Sequence, residues 1–369
     1  MIVLLAPQSA SLSGGYLYNQ HLASELPADR FKYLQLQQRS GDNRPPQPQE
    51  LAEIGVPPEA TLLIDSLYFS FPEWVEGLAR SHRGSLAMLV HYLPSLDPTI
   101  APQTAAIRER AELRCFNCCA RIIVPSNYTK TEIERLLGRQ AAPEKQPAAA
   151  TCPDPAMPLI QTAPPGTDIA APEHRYNGPS SSSQTGLQLL TVANWTPAKN
   201  HRFLLPLLAE FGERNWIWKI FGQADEHGTL VKEFRRAAEQ LGLSDRVHLG
   251  PPISPREVAR QMQSADVFLY PSLFESYGMV VAEALAASLA VIANRTGGIP
   301  EAVGQEEAAL LCSGRSSAAV TEAWRKALES VLTDRDCREQ LRRAAAARAR
   351  TLPTWPDTAA AVLTALEHA

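Results

Sequence analysis

Short runs of apolar residues alternate along most of the chain with segments whose apolar positions recur at helical spacing. This alternation is typical of parallel sheets that are covered on both faces by helices. The apolar runs predict strands at residues 2–6, 33–36, 61–64, 85–91 and 121–124, and in the second half at 188–192, 216–221, 246–249, 267–270 and 290–294. The segments between them predict helices, which include residues 15–25, 104–119, 201–213, 230–241, 255–264 and 280–287.

The composition changes between the two halves of the chain. Residues 139–186 are rich in Pro and Ala and include four consecutive serines at 180–183, which predicts a linker or a long surface loop. A chain of 369 residues is too long for one core of ordinary size. We therefore expect two α/β domains, an N-terminal one at 1–168 and a C-terminal one at 169–351. The sequence also predicts a helix within 352–369 and leaves open which domain it packs on. The N-terminal domain is one of the two alternatives.

The charge balance excludes a strongly basic nucleic-acid-binding protein. The chain has 35 Lys and Arg against 39 Asp and Glu, a net charge of −4, whereas displacing phosphate counterions requires a cationic surface. Residues 1–165 alone contain 14 basic and 16 acidic residues, so peripheral membrane contact through a basic patch is possible but unsupported. Apolar residues make up 45% of the chain, which excludes general disorder.

Cysteine usage and hydropathy favour a reduced, cytoplasmic protein. Cys115, Cys118 and Cys119 lie close together in a helix-like run without a second pair of metal ligands. They are therefore interpreted as core thiols rather than as a zinc or redox site. No stretch approaches the roughly 20 apolar residues of a membrane span. Residues 1–6 stop at Pro7 without a basic leader, so they predict a buried strand rather than a signal peptide.

The most informative segment covers residues 268–284, where a predicted strand ends near Pro271 and a helix begins near Gly278. In an open α/β sheet, such a loop lies at the carboxyl ends of the strands, where ligands bind. The helix N-terminus there offers free amides to a phosphate. Glu275 lies in the loop, and Glu283 lies in the helix among apolar neighbours, where a carboxylate needs a partner or a wet cleft. Both carboxylates are therefore candidates to accept hydrogen bonds from sugar or ribose hydroxyls.

Several motifs together are specific to one family. They are PSLFESYG at 271–278 followed by EALA at 283–286, TGGIPE at 296–301, SADVF at 264–268 and PGTD at 165–168. On these motifs most of the chain resembles the family 4 glycosyltransferases, also described as glycosyl transferases group 1. The resemblance implies an α/β protein with the GT-B architecture, two facing Rossmann-like domains with a cleft between them. It also implies an enzyme, a retaining glycosyltransferase that moves a sugar from a UDP- or GDP-sugar to a glycan, lipid or small molecule.

The resemblance implies roles for individual residues, with no bound metal and no cofactor. Glu275 would contact the donor sugar and Glu283 the ribose, while main-chain groups of the loop face the sugar and the diphosphate. The nucleobase would stack near the turn after the third strand of the donor domain. The implied donor-binding residues are Gly14, Gly15, Asn194, Ser276, Tyr277, Gly278, Glu283, Gly250 and Pro251, and the implied catalytic residues are His91, Lys199 and Glu275.

The N-terminal half contains matching features. Gly14 and Gly15 stand between a predicted strand and a helix, where glycines let the backbone approach a ligand closely. His91, at the carboxyl end of a strand, matches the family's acceptor-side histidine. Asp65 ends another strand in the same way and also resembles a family position. Asn19, on the helix after the glycines, is expected to serve in packing and capping.

One departure from the family pattern concerns the leaving diphosphate. The family usually has an Arg and a Lys at the first turn of the donor domain, but here Asn194 stands in place of the Arg while Lys199 is present. Losing a cation beside a leaving group would cost several kcal/mol of transition-state stabilisation if nothing replaces it. Arg202 or Arg295 could replace it from nearby. Ser288, where glycine is usual, is a milder departure.

Two alternative functions remain open at this point. The missing Arg is compatible with a non-catalytic nucleotide-sugar-binding subunit that needs a partner chain. A sugar-nucleotide epimerase shares the architecture, although the context of both glutamates makes it the less favoured alternative. In the main hypothesis, Lys199 and backbone amides stabilise the departing diphosphate, whose own oxygen takes the acceptor's proton. Closure of the domains would exclude water.

Overall fold

The computed structural model describes residues 1–8, 13–37, 45–140, 157–169, 186–225 and 227–367. The chain divides into two compact units, Met1–Gly166 with Pro353–Ala369, and Thr167–Leu352. The predicted domain boundary, after residue 168, is adjacent to the structural division after Gly166. Most of the predicted linker, including the serine run at 180–183, lies outside the described residues.

The first unit is built on a parallel sheet with the strand order β2-β1-β3-β4-β5-β6. Its strands are β1 (Ile2–Pro7), β2 (Phe31–Leu36), β3 (Thr61–Asp65), β4 (Leu86–Leu89), β5 (Arg121–Val124) and β6 (Leu159–Thr162). Its helices include α1 (Gly14–Glu25), α2 (Pro72–Ser81), α3 (Pro102–Phe116) and α4 (Asn127–Gln140). The central strands β3, β4 and β5 are buried on both faces almost throughout, as expected for a parallel sheet between helices.

The second unit repeats this plan with the strand order β12-β11-β10-β7-β8-β9, again all parallel. Its strands are β7 (Leu187–Val192), β8 (Trp216–Phe221), β9 (Val247–Gly250), β10 (Val267–Tyr270), β11 (Ala290–Asn294) and β12 (Leu310–Cys312). Its helices include α5 (Leu204–Ala209), α6 (Thr229–Gln240), α7 (Pro255–Ser264), α8 (Met279–Ala286), α9 (Ile299–Val303), α10 (Ser317–Thr333) and α11 (Arg335–Ala349). A final helix, α12 (Trp355–Glu367), follows. In the described ranges, no helix is both long and apolar enough to cross a membrane.

Besides small shifts in the ends of several elements, three larger differences separate the structure from the sequence prediction. The segment predicted as a linker contains β6, a four-residue strand that pairs with β5 at the sheet edge. The three-residue strand β12 was also missed. The helix predicted at 201–213 is shorter, because the α-helical part covers only α5 and is preceded by a 3₁₀ turn, His201–Phe203. Pro206 has no amide proton, so it fits only in the first turn of this helix.

Helix α12 belongs to the first unit, although it follows the second unit in the chain. Trp355 is buried, stacks on the ring of His21 at a centroid distance of 4.0 Å, and meets the ring of Tyr18 edge-on at 5.6 Å. At the other end of the helix, the buried Arg121 Nη1 donates a hydrogen bond of 2.7 Å to the carbonyl of Ala365. A cation at a helix C-terminus donates to a carbonyl that has no partner within the helix, and it interacts favourably with the negative end of the helix dipole.

The thiols at the end of α3 lie in or against the core. Cys115 and Cys119 are buried and Cys118 is half-buried, with its Sγ donating to the carbonyl of Arg114. Burial raises the pKa of the Cys115 thiol, which keeps it protonated. These positions agree with the interpretation of core thiols.

Replacing Trp355 with Ala should detach α12 from α1, because the indole ring supplies the stacking contacts on His21 and Tyr18. We expect the free energy of unfolding of the first unit to fall by about 3–5 kcal/mol, measured by urea denaturation. The control is Leu67→Ala in the same unit, whose side chain is mostly exposed and whose loss should change stability by less than about 0.5 kcal/mol. Equal unfolding midpoints for the two variants would show that α12 is not held by this contact.

Candidate active site

The strand order of the second sheet reverses between β7 and β10. From β7 the chain proceeds to β8 and β9 on one side, and β10, β11 and β12 lie on the other. In open parallel sheets, ligands bind outside the carboxyl ends of the strands at such a switch point. Lys199 lies in the short turn Pro197–Lys199 after β7, and Glu275 lies in the loop after β10. Two of the predicted catalytic residues are thus brought together at this point.

Lys199 and Glu275 form an ion pair that a tyrosine completes. Lys199 Nζ donates to Glu275 Oε1 and also to the hydroxyl of Tyr270, at 3.1 Å. The Tyr270 hydroxyl donates in turn to the same Glu275 oxygen at 2.6 Å. The sequence analysis missed Tyr270, because a tyrosine at the end of an apolar strand is expected in the core. Its ring is indeed buried, but its hydroxyl bridges the two charged groups.

The electrostatics of this cluster keep one positive charge in place. Burial alone would lower the pKa of the Lys199 ammonium, but the Glu275 carboxylate and the Tyr270 hydroxyl outweigh burial and raise it. Burial and the Glu275 charge raise the pKa of the Tyr270 phenol, so it remains a hydrogen-bond donor. Next along the chain, burial and the charge of Lys199 lower the pKa of His201 to about 4. At neutral pH, Lys199 is therefore charged while His201 is neutral.

Backbone hydrogen bonds hold the loops of the cluster in register. The amide of Leu273 donates to the carbonyl of Ala198 at 2.7 Å, which joins the Lys199 turn to the Glu275 loop. The amide of Gly298 donates to the carbonyl of Glu275 at 2.9 Å. Gly297 has φ 53°, and a Cβ there would lie 1.8 Å from the Glu275 carbonyl oxygen. Only glycine permits so close an approach of two backbones, which explains the glycine pair of this turn.

Glu283 lies on α8 as a half-buried carboxylate. Burial, and then the nearby charge of Asp168, raise its pKa to about 7. No side chain in the described ranges donates a hydrogen bond to it. Such a carboxylate can accept hydrogen bonds from the hydroxyls of a ligand, which would replace the water it loses on burial.

Helix α8 begins between the two glutamates in the sequence, after Glu275 and before Glu283. Gly278 is its N-cap, with φ 93°, a left-handed conformation that favours glycine. Ser276 and Tyr277, in the loop before it, are both buried. The first amides of a helix attract anionic groups, so these main-chain groups are suited to the role predicted for them.

The first sheet reverses its strand order between β1 and β3. Gly14 begins α1 after β1, Asp65 ends β3, and His91 follows β4 by two residues. A Cβ on Gly15 would lie 2.9 Å from Cδ2 of His91, so the glycine allows the helix to approach the imidazole. The loop predicted from the glycine pair and the predicted histidine therefore meet in the structure.

A hydrogen-bonded chain links three side chains of this site. Asn19 Nδ2 donates to Asp65 Oδ2 at 2.6 Å, and His91 Nε2 lies 2.9 Å from Asn19 Oδ1 and 3.4 Å from Asp65 Oδ2. Asp65 is fully buried, and its Oδ1 accepts from the amide of Leu67 at 2.8 Å. Asn19 was expected to serve in packing and capping. Its role in this chain was missed, because nothing in the sequence connects it to two residues on other elements.

The remaining predicted positions have structural partners of their own. Asn194 Oδ1 accepts from the amide of Gln223 at 3.0 Å, which ties the turns after β7 and β8 together. Arg295 pairs with Glu306 at 2.7 Å, and Arg202 is exposed on its 3₁₀ turn. Whether either arginine replaces the cation missing at 194 stays a prediction.

The predicted base-binding turn and the departure at Ser288 also have local explanations. A Cβ on Gly250 would lie 2.3 Å from the ring of Phe221 on the neighbouring strand, and Pro251 beside it is exposed. A role of this turn in base binding stays a prediction. Ser288 has φ 57°, in the left-handed region, which explains why glycine is usual at this position of the motif.

Two parallel sheets, each with polar side chains at its switch point, define a Rossmann-like architecture. Residues 176–348 match the family described as Glycosyl transferases group 1. The match covers slightly less than half of the chain, and the resemblance inferred from the motifs is confirmed.

Curated relatives carry glycosyltransferase names. The chain is 32% identical over 212 residues to a D-inositol 3-phosphate glycosyltransferase of Corynebacterium glutamicum, over 54% of this chain and 50% of the relative. It is 35% identical over 144 residues to the protein of the same name from Xylanimonas cellulosilytica, over 39% of this chain and 33% of the relative. The chain spans about half the length of the first of these relatives.

Solved structures match the whole chain. Sucrose-phosphate synthase from Thermosynechococcus elongatus has a TM-score of 0.76 at 18% identity and covers 100% of this chain and 98% of its own. HepE from Anabaena, in complex with UDP and glucose, has a TM-score of 0.75 at 16% identity and covers 100% of both chains. The likeness concerns the fold, which is GT-B, and the predicted fold class is confirmed.

Replacing Glu283 with Gln should stabilise the protein at high pH and not at low pH. The carboxyl has an ordinary pKa of 4.5 when unfolded and about 7 when folded. The native state therefore holds its proton more tightly, and stability falls as the pH rises between these values. From pH 4 to pH 8 the native protein should lose about 3 kcal/mol relative to Glu283→Gln, measured by urea denaturation across this range. Glu329→Gln, at an exposed position of the same unit, is the control, and parallel pH curves for all three proteins would contradict the prediction.

Replacing Lys199 with Met should leave the half-buried Glu275 without its cation, while the Tyr270 hydroxyl still donates to it. We expect a loss of about 1–3 kcal/mol in the free energy of unfolding, because one partner of the pair is removed while the other stays desolvated. The matched control is Lys326→Met, because Lys326 pairs with Glu322 on the surface and such pairs contribute less than about 1 kcal/mol. Denaturant midpoints that shift equally in both variants would contradict a special role of the buried pair.

Proposed function

We propose that the chain is a retaining, metal-independent glycosyltransferase that takes its sugar from a nucleotide-sugar and acts in the cytoplasm. The observation that carries the proposal is the Lys199–Tyr270–Glu275 cluster, which lies at a switch point of the sheet and within the segment that matches group 1 glycosyltransferases. A family match alone gives only a class. The cluster adds a fixed cation and a fixed carboxylate, which are the two kinds of group that a glycosyl donor requires.

On the donor side, each group has a chemical task. The Lys199 ammonium neutralises the charge that develops on the diphosphate as the bond to the anomeric carbon breaks. The amides before α8 and at its first turn bind the diphosphate oxygens. Glu275 accepts hydrogen bonds from sugar hydroxyls, and Glu283 accepts them from the ribose. UDP is the first nucleotide to test, because the structural neighbour HepE is described in complex with UDP and glucose.

In the transfer step, the bond between the anomeric carbon and the diphosphate breaks and a bond to the acceptor oxygen forms on the same face of the sugar. The acceptor's proton passes to an oxygen of the departing diphosphate, so no separate protein base is needed. His91 contacts the sugar or the acceptor and orients it. The cation-like character of the transition state makes the charge of Lys199 the largest contribution from a side chain.

The acceptor proposed for the first assays is a phosphorylated cyclic polyol, D-inositol 3-phosphate. The support is the name carried by the relatives from Corynebacterium glutamicum and Xylanimonas cellulosilytica. The proposal for the acceptor is independent of the proposal for the donor, since a donor site is tested without any acceptor.

One observation favours a second candidate, a nucleotide-sugar-binding subunit without its own catalysis. Asn194 replaces the usual cation, and its side chain is engaged with the amide of Gln223. A protein of this kind binds the nucleotide but does not turn over a nucleotide-sugar, with or without an acceptor.

Calorimetric titration with UDP and with GDP should detect binding of one nucleotide at 25 °C. Glu283→Ala should weaken that binding by about tenfold or more, because two ribose hydroxyls lose a carboxylate acceptor. Glu329→Ala, exposed on α10 in the same unit, should bind as the native protein does. Absence of binding to both nucleotides would count against the donor site.

Product analysis separates the two candidates once a nucleotide binds. Transfer to inositol 3-phosphate with the anomeric configuration of the donor supports the retaining enzyme. Binding without turnover of any UDP- or GDP-sugar supports the subunit. Release of free nucleotide with a rearranged sugar in the absence of acceptor would identify an epimerase.

A further inference from the structure

The carboxylate of Asp65 determines which atoms donate and which accept in the hydrogen bonds that lead to His91. An ionised carboxylate accepts hydrogen bonds and cannot donate them. The atom of Asn19 that lies 2.6 Å from Asp65 Oδ2 must therefore be the amide nitrogen. The amide oxygen then faces the other way, toward His91 Nε2 at 2.9 Å. Because that oxygen only accepts, Nε2 must carry a proton.

Asp65 is well placed to impose this direction. It is fully buried, and its second oxygen accepts from the Leu67 amide, so both carboxylate oxygens are engaged as acceptors. His91 Nε2 also lies 3.4 Å from Asp65 Oδ2. The imidazole itself is held on several sides. Gly15 packs against its Cδ2 edge, the Tyr18 ring meets it edge-on at 5.1 Å, and the His91 amide donates to Ser66 Oγ at 3.1 Å.

We propose that Asp65, acting through Asn19, is a positioning residue that fixes His91 as the Nε2–H tautomer and so leaves Nδ1 as a hydrogen-bond acceptor. The relay consists of Asp65, Asn19 and His91, which come from β3, α1 and the segment after β4. Such an arrangement sets the tautomer by the hydrogen bond made at the opposite ring nitrogen. The neutral ring can then accept a hydrogen bond from a ligand hydroxyl through Nδ1.

The consequence for catalysis rests on the proposed function. If His91 orients the sugar or the acceptor, it does so as an acceptor for a hydroxyl proton, and the wrong tautomer would present N–H where a lone pair is needed. The carboxylate of Asp65 thus acts on a substrate that it does not touch.

The substitution Asp65→Asn reverses the direction of the relay. The Asn side chain can still accept from the Leu67 amide through its oxygen, which preserves the cap, and it offers its NH₂ to Asn19. Asn19 then presents its oxygen to residue 65 and its NH₂ to His91. His91 Nε2 becomes an acceptor, and the ring changes to the Nδ1–H tautomer.

The test is long-range ¹H–¹⁵N correlation NMR on the full chain labelled with ¹⁵N-histidine, at a pH where His91 is neutral. The His91 signal is assigned by its absence from His91→Ala. Native protein should show Nε2–H, and Asp65→Asn should show Nδ1–H. Asp97→Asn is the control, because Asp97 Oδ1 accepts from the Thr99 amide at 2.9 Å in a similar turn, and it should leave the His91 tautomer unchanged.

The kinetic arm uses the nucleotide-sugar identified by the titration. Asp65→Asn should lower kcat about tenfold, the value of one hydrogen bond, with little change in KM for the donor. A reversed tautomer with lower kcat supports the relay and the role of His91. A reversed tautomer with unchanged kcat supports the relay and overturns the role of His91 in the proposed function. An Nε2–H tautomer that persists in Asp65→Asn overturns the relay, whatever the kinetics.

If Asp65→Asn does not fold, Asn19→Ala gives the same decision. It removes the acceptor for Nε2–H while leaving room for water at Asp65. Retention of Nε2–H as the single observed tautomer in this variant would overturn the proposal, and a mixture of the two tautomers would support it.

Discussion

The reversal of strand order in each sheet is the constraint on which the candidate site depends. At such a reversal two parallel strands are neighbours, but the connections that follow them run toward opposite edges of the sheet. No crossover helix then covers the gap above the carboxyl ends of these two strands. In the second sheet this gap lies between β7 and β10, and the loops after these strands carry Lys199 and Glu275. Backbone hydrogen bonds from Leu273 and Gly298 then fix the distance between the loops. The strand order therefore places Lys199 and Glu275 near each other, and the attraction between their charges then forms the ion pair.

The two sheets use this position in different ways. At the second switch point the interaction is between full charges, which attract over several ångströms and tolerate small movements. At the first, a buried carboxylate, an amide and an imidazole are joined by hydrogen bonds whose direction matters more than their strength. The second sheet thus presents a cation at its switch point, and the first presents an imidazole held by hydrogen bonds.

Much of the fold could be predicted from the sequence, and the reasons are local. β8, β10 and β11 have the predicted or nearly predicted bounds, because their runs of β-branched, aromatic and aliphatic residues end at clear turn signals. β6 was assigned to a linker, since a four-residue edge strand with an exposed Leu159 carries little periodicity. The register with β5 that creates this strand is a long-range property.

The candidate site was predictable where a motif lies in one segment and not where partners come from distant segments. Glu275, Glu283 and Gly278 share one loop and helix, so their spacing was informative. Asn19 lies 46 residues from Asp65, and Tyr270 bonds Lys199 across 71 residues. A hydrogen bond between such residues leaves no trace in local spacing. Asn19 was therefore expected to serve in packing and capping, and Tyr270 was predicted only as the end of a strand.

The position of α12 has a consequence for how the protein is made. The second unit is one uninterrupted stretch of chain, whereas the first unit receives its last helix only after that stretch has been synthesised. Until then, the rings of Tyr18 and His21 and the guanidinium of Arg121 lack their partners Trp355 and Ala365. On the ribosome, the half that begins first is completed last. The nascent first unit therefore lacks this aromatic contact for the time taken to translate the whole of the second.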